Sequence, residues 1–294
     1  VYLILVPIVV LGLIGAKLYL EETAEAKADS QLDLLGVLMG SASVFLVVLG
    51  TLQGRSWGWL SPYTVACFAG TTLLLPLFLI RSSKHPEPLF DPGLFRIRSF
   101  TVSNVAVTFA MVGAFTSWFL WPLFLTEVWE YSKAKVGLAF TPSPVLSAVV
   151  AVLGGRWADR RGFRGIMALA ALIATVGFLW LYFFLDEEVQ FWFAFFPSSV
   201  MFGFGMGVLA SQLNSAALRD IPPESTATAN GIHHSLRYAV GGMGAATAIT
   251  VLNGTHEVQR YSVMWLLLGI LMFLVAPLMW FLYPKEPNAV RNQR

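Results

Sequence analysis

The sequence predicts an all-α integral membrane protein of about nine transmembrane helices, and three observations carry that prediction. Of the 294 residues, 56% are hydrophobic and 12% charged, with a mean hydropathy of +0.69, whereas soluble domains carry about 25% charged residues. The apolar residues gather into long unbroken stretches, and roughly 20 such residues in a helix cross about 30 Å of hydrocarbon. Helices and closed barrels alone satisfy their own backbone in lipid, and barrel strands would be shorter and alternating. The third observation is a lopsided distribution of lysine and arginine between successive loops.

Taken in order, the stretches run Val1 to Leu20, Leu34 to Leu52, Tyr63 to Ile80, Phe100 to Leu125, Val136 to Leu153, Ile166 to Leu185, Phe191 to Leu209, Ala229 to Leu252 and Val263 to Tyr283. One set of intervening loops holds Lys17, Lys27, Arg81, Lys84, Arg96, Arg98, Arg156, Arg160, Arg161, Arg164, Arg219, Lys285, Arg291 and Arg294; the other holds Arg55, Lys133, Lys135 and Arg260. Fourteen cations against four orient the chain, since cationic loops stay in the cytoplasm. The C-terminus is expected inside and Val1 outside. Trp57, Trp59, Trp129, Tyr131, Trp192, Tyr261 and Trp265 fall near the outer ends, where amphipathic rings favour the headgroup layer.

Other classes are excluded on the same grounds. A net charge of +2, scattered over the chain, is no nucleic-acid surface. The single cysteine, Cys67, supports neither a disulfide framework nor a multi-cysteine metal site. His233 and His234 are adjacent and diverge on a helix, so they do not pair as metal ligands. No metal site and no cofactor is expected. The chain opens on Val1 within an apolar run and lacks the basic leader of a signal peptide, so a truncated start is expected.

Between the fifth and sixth stretches, GGRWADRRGFR, Gly154 to Arg164, sets four arginines and one aspartate between apolar segments. Gly155 permits close helix approach. Asp159 is expected to accept backbone N–H bonds at the start of the next helix, and Arg156, Arg160 and Arg164 to pair with Asp159 or with lipid phosphate. The pattern Gly155-x-x-x-Asp159-x-x-Gly162 followed by Arg164 resembles the loop signature of the major facilitator superfamily. Further stretches resemble its fourteen-helix drug:proton antiporter branch: Tyr2 to Pro7, with Leu5 in place of the usual Asn; Asp33-Leu34-Leu35-Gly36; Trp57 to Pro62; His85-Pro86 through Leu94-Phe95; and Ala227 through Gly231 with Arg237 and Gly241-Gly242-x-Gly244.

The resemblance implies a division of the chain. Residues 1–20 would be the last helix of an incomplete N-terminal bundle, 31–82 two extra linker helices, 83–98 a cytoplasmic linker, 99–283 a complete six-helix C-terminal bundle and 284–294 a cytoplasmic tail. The preceding helices of the same protein are then missing partners. It further implies a non-enzymatic secondary active transporter in the bacterial plasma membrane, exporting small amphipathic or hydrophobic compounds by alternating access in antiport with protons. Two other readings stand beside it, a membrane scaffold or non-transporting remnant and a membrane enzyme acting on lipid-linked substrates. In the family such a loop latches one bundle conformation, which makes Gly155, Asp159, Arg160, Gly162 and Arg164 the candidate gating residues; the alternative is that they are retention charges of a short inner loop.

Ionisable groups inside lipid are costly and are functional candidates. Arg237, two turns into the eighth stretch, is one, with Glu224 or Asp220 as expected partners. Asn104, Thr108, Thr116, Ser117 and Trp118 on the fourth stretch, with Ser198, Gln212 and Asn214 around the seventh, are candidates to line a substrate path among Phe109, Phe115 and Phe119; each taken alone also fits interhelical hydrogen bonding. No Asp or Glu lies in the middle of any stretch. A proton-loading carboxylate, which burial would raise toward neutral pH, is therefore expected in the missing half. Small residues at Gly203-x-x-x-Gly207, Ala227-x-x-x-Gly231, Gly241-x-x-x-Ala245 and Gly242-x-x-x-Ala246 favour close helix packing. Asn253-Gly254-Thr255 fits a glycosylation acceptor.

Overall fold

The computed structural model describes residues 5–19, 33–85, 90–252 and 258–285. Most of the expected tail, part of the linker and the Asn253-Gly254-Thr255 triplet lie outside the described residues. The helices are α1 (Leu5–Tyr19), α2 (Leu34–Trp57), α3 (Pro62–Ser82), α4 (Arg98–Glu127), α5 (Lys133–Phe140), α6 (Pro142–Arg161), α7 (Phe163–Phe184), α8 (Phe196–Leu218), α9 (Thr226–Leu252) and α10 (Val258–Pro277). A π-type turn leads into α8 and another follows α10, and a short 3-10 turn, Pro92–Arg96, precedes α4. Where described, each apolar stretch read from the sequence is helical through its body, with Leu185 and Tyr283 falling just past a helix end. α1 forms a unit of its own, separate from the rest.

Seven spans of the described residues are long and apolar enough to cross a membrane, with α5 and α6 running on as one span of 29 residues. α9 has the length but is not among the seven, because Asn230, His233, His234 and Arg237 interrupt it. Those polar groups are tolerated because α9 packs on α2, α4 and α8; His233, for one, is buried.

Helix ends are capped by side chains where the chain turns. Asp33 accepts from Gly36 N–H at 2.9 Å to start α2, and Ser61 accepts from Thr64 N–H at 3.3 Å with Pro62 in the first turn of α3. α2 and α3 form an antiparallel hairpin whose base is closed by Arg81, which donates to Asp33 Oδ1 from Nε at 3.0 Å and from Nη2 at 2.7 Å. The Arg81 guanidinium, with the Gly36 amide, holds the Asp33 carboxyl below its ordinary value. That contribution to stability is complete above the ordinary carboxylate range and fades only as pH falls through the lowered value.

From α4 to α10 the helices pack into one bundle in which α8 contacts α4, α6, α7 and α9, while α4 also contacts α9 and α10. The core is aromatic: the Trp121 ring lies 4.9 Å from Phe202, 5.3 Å from Phe195, 5.8 Å from Phe140 and 6.4 Å from Trp265, centroid to centroid. This corrects the headgroup assignment of several aromatics. Trp57, Trp59 and Trp192 are exposed, but Trp129, Tyr131, Tyr261 and Trp265 are buried, because Trp129 and Tyr261 both pack on Phe124, at 5.3 and 5.1 Å. Trp129 also ties two loops together by donating from Nε1 to the Asp186 carbonyl at 3.0 Å.

At the opposite, arginine-rich end, three side chains converge on the C-terminal turn after α10. Arg98 Nε donates to the Leu282 carbonyl at 2.7 Å, Arg219 Nη1 to the Pro284 carbonyl at 3.5 Å, and Arg164 Nη2 to the Trp280 carbonyl. Terminal carbonyls lack helical partners and carry the negative end of the dipole, so guanidinium groups satisfy both demands.

α6 and α8 run parallel and nearly backbone to backbone. A Cβ at Gly203 would lie 2.5 Å from the Ser143 carbonyl oxygen, and one at Gly207 would lie 2.6 Å from the Ser147 carbonyl oxygen. Replacing Gly207 with Ala must therefore push the two helices apart, whereas Gly137 has open space around it. Gly207→Ala is expected to destabilise the bundle by about 1–3 kcal/mol, as overpacking does, and Gly137→Ala to leave it unchanged; thermal unfolding of the purified chain in detergent checks the contrast.

Candidate functional site

The loop that stood out in the sequence is a single-residue turn. α6 continues through Asp159 and Arg160 to Arg161, Gly162 stands alone at φ +81°, ψ 167°, and α7 begins at Phe163. That backbone conformation is essentially open to glycine only, which explains Gly162 without reference to charge. Its N–H donates to the Ala158 carbonyl at 2.8 Å and closes α6.

Three expectations for this loop are corrected. Asp159 does not cap α7, since α6 extends past it and leaves it in the last helical turn, exposed and without an ion pair among the described residues. Arg164 does not turn back to Asp159 but crosses to the segment after α10, where it meets the Trp280 carbonyl and lies 5.9 Å from the Trp280 ring. Its position in the first turn of α7 points it away from the end of α6. Arg160 is exposed. Gly155 makes no close approach that requires glycine: a Cβ there would stand 3.6 Å from Gln212 Nε2 on α8, an ordinary contact, whereas Gly203 and Gly207 make the tight ones.

A cavity of about 500 Å³ opens beside the α6–α8 contact, between α4, α5, α6 and α8. Trp118, Phe140, Phe202 and Met206 form its apolar wall; Ser143, Ser147 and Ser211 supply hydroxyls. Of the sequence candidates, Trp118 lines it and is 46% exposed. Gln212 does not line the cavity but donates from Nε2 to Ser211 Oγ, which does, at 3.1 Å.

The other candidates fall elsewhere. Asn104 is 2% exposed and His233 1% exposed, and Asn104 Oδ1 lies 3.1 Å from His233 Nδ1 across the α4–α9 interface. Asn104 Nδ2 donates to the Phe100 carbonyl at 2.8 Å, and Thr108 Oγ1 donates to the Asn104 carbonyl at 2.9 Å. Ser117 is buried and bonded to its own helix at the Gly113 carbonyl. Asn214 Oδ1, Thr116 Oγ1 and Ser198 Oγ are buried without a hydrogen-bond partner. Arg237 meets neither expected carboxylate: its Nη1 reaches the Ala210 carbonyl on α8 at 3.4 Å, while Asp220 accepts two bonds from Arg219, at 2.9 and 2.7 Å, which hold its carboxyl below the ordinary value.

Sequence reading missed Phe140, Ser143, Ser147, Phe202 and Ser211 as lining residues. A signal existed: Ser143 and Ser147 are four residues apart, hence on one helical face, opposite the Gly203-x-x-x-Gly207 pair that was taken only as packing.

A sequence model of the Major Facilitator Superfamily matches residues 32–246 and again residues 104–294. The chain belongs to the major facilitator superfamily. Among curated members it is 26% identical over 268 residues to the multidrug resistance protein 3 of Bacillus subtilis, covering 89% of this chain and 50% of that protein. It is 27% identical to the cephamycin export protein CmcT of Amycolatopsis lactamdurans, covering 75% of this chain and 46% of that one. It is also 23% identical to the multidrug export protein EmrB of Escherichia coli, covering 74% and 44%. This major facilitator chain thus spans about half the length of the curated relatives it matches.

The Asn104–His233 contact is a side-chain hydrogen bond buried between α4 and α9. Removing either partner strands the other, at about 1–3 kcal/mol. A double-mutant cycle with Asn104→Leu and His233→Leu, read by thermal unfolding, is expected to return a coupling energy of roughly 1 kcal/mol or more; additive effects would show that the pair does not interact.

Proposed function

We propose that this chain is part of a secondary active exporter of small amphipathic or hydrophobic compounds, working by alternating access in antiport with protons. The observation that carries the reading is the cavity between α4, α5, α6 and α8, aromatic on one wall with sparse hydroxyls on another, as sites of broad ligand range are built. Its lining comes from the same α6–α8 contact that leads to the arginine-bearing loop. Relatives named for multidrug and cephamycin export support the assignment. In this reading residues 31–82 are linker helices and 99–283 the second six-helix bundle. The helices that would face the cavity belong to the part of the relatives' length that this chain does not cover.

Gating follows from the arginine end. Arg164 bridges the start of α7 to the turn after α10, and Gly162 gives the α6–α7 turn a conformation other residues resist, so the loop forms a stiff latch between two spans. Rocking of the bundles around a midplane site would break and remake such a latch.

The transport test is accumulation of ethidium in bacterial cells lacking their principal exporters, with and without the gene that encodes this chain in its full coding context. The gene is expected to lower accumulation. Ala151→Trp, which fills the cavity wall, is expected to abolish that effect while the protein remains in the membrane. Equal accumulation with and without the gene would refute export of this dye.

Orientation is tested separately. With Cys67 replaced by Ala, single cysteines at positions 160 and 133 are expected to respond oppositely to a membrane-impermeant maleimide added outside the cell: Lys133→Cys labelled, Arg160→Cys spared. The reverse pattern would place the C-terminus outside.

A further inference from the structure

The three serines of the cavity wall are not equivalent. A serine or threonine inside a helix commonly donates to the carbonyl four residues earlier, and Ser117, Thr126, Thr175 and Ser262 do so here, to Gly113, Pro122, Ala171 and Val258. Ser211 follows that habit: its Oγ donates to the Gly207 carbonyl at 2.7 Å and accepts from Gln212 Nε2 at 3.1 Å. Ser143 and Ser147 line the same cavity and make no side-chain hydrogen bond among the described residues. Ser99, Ser103, Thr116 and Ser198 also lack a partner, but their oxygens are buried and none of them lines the cavity.

Placement makes these two hydroxyls available to a ligand. Phe140, Ser143, Ser147 and Ala151 recur every three or four residues along the continuous α5–α6 span, so one helical face supplies that side of the cavity. The carbonyl four residues before Ser147 is that of Ser143. It is crowded from the other side by α8, since a Cβ at Gly203 would lie 2.5 Å from its oxygen. None of the lining residues is ionisable, so the wall offers neutral donors and no counter-charge. A hydroxyl whose proton is unused is completed by an accepting oxygen, and Trp118, Phe140 and Phe202 supply apolar surface in the same cavity.

We infer that Ser143 and Ser147 are the polar groups through which the cavity holds its ligand, donating to a neutral accepting oxygen, a ketone or ester carbonyl, of a compound whose apolar body lies on Trp118, Phe140 and Phe202. Ser211, whose proton is already committed to its own helix, takes no part. The inference rests on the transport reading above and narrows its substrate class.

The test compares 2-acetylnaphthalene with 2-isopropenylnaphthalene, in which a methylene group replaces the carbonyl oxygen, for binding to the protein expressed from its full coding context and held in lipid nanodiscs. Equilibrium dialysis is read against empty nanodiscs, which subtracts partition into lipid. The wild type is expected to favour the ketone by about threefold or more, the size of one net hydrogen bond. The double variant Ser143→Ala, Ser147→Ala is expected to bring that ratio to one while binding of the isopropenyl probe is kept, and Ser211→Ala to leave the ratio unchanged. Because both probes meet the same sample, the ratio does not depend on how much variant folds. A wild-type ratio of one, a preference that survives the double variant, equal loss of both probes in that variant, or a preference that Ser211→Ala abolishes as fully would overturn the inference. Any of these with both probes bound by the wild type would sink this inference alone. Binding of neither probe beyond empty nanodiscs would sink it together with the transport reading, which would lose the cavity that carries it.

Discussion

The close contact of α6 with α8 sets the position of everything else in the bundle. Glycine at 203 and 207 removes the side chains that would hold two backbones apart, and the carbonyls of Ser143 and Ser147 occupy the space that a Cβ would need. In lipid, where burial of apolar surface gives helices no reason to prefer one another over the acyl chains, such fit is a main source of association. Two helices so close at one edge must diverge from a third, and the cavity is that divergence. Gly207, Ser143 and Ser147 line it while also making the contact. The packing motif and the ligand chamber are therefore one structural feature, and a substitution in it acts on both.

The arginine end follows a second rule, that a helix leaving the apolar layer must satisfy its last carbonyls. Arg98 from α4, Arg164 from α7 and Arg219 from beyond α8 all donate to the segment 280–284, and Tyr283 adds a bond to the Ala216 carbonyl at 3.0 Å. Three spans are thereby tied to the end of a fourth. Cations that a topology argument treats as interchangeable retention charges are here directional, each aimed at one oxygen. Under the gating proposal, movement of α7 relative to α10 must exchange the Arg164 bond for one to water or lipid, and the energetic difference is small because guanidinium is well satisfied by either.

The spans were legible in the sequence because lipid imposes length and apolarity on a contiguous segment, so composition alone carries the signal. Partner choice was not. Asp159 was expected at the start of α7, yet the helix before it runs two residues further, and nothing in the loop's composition distinguishes a residue ending one helix from one beginning the next. Tyr261 and Trp265 were placed at the headgroup layer by rank in the span; whether a ring at that depth faces lipid or Phe124 and Trp121 is decided by helix rotation, which a hydropathy pattern without a strong amphipathic period does not fix. Of the residues singled out in the sequence, Trp118 is on the cavity wall and Gln212 is not; the serines of α6 carry no signal of their own, because a hydroxyl in a membrane helix bonds to its own backbone or a neighbour as readily as to a ligand. α5 and α6 continue through Thr141 as one span, as the unbroken stretch Val136 to Leu153 implies, with the prolines at 142 and 144 in the first turn of α6, where their missing N–H groups cost little.

Proton antiport places a demand that this chain meets in few places. A carrier must load and release a proton near neutral pH, and the two ion-paired carboxylates fail that requirement: Asp33 and Asp220 are held ionised by Arg81 and Arg219, which lower their affinity for a proton. Arginine does not release its proton in this range. His233 is sealed between α4 and α9 with Asn104 as its side-chain partner, which makes this imidazole a structural element of the bundle.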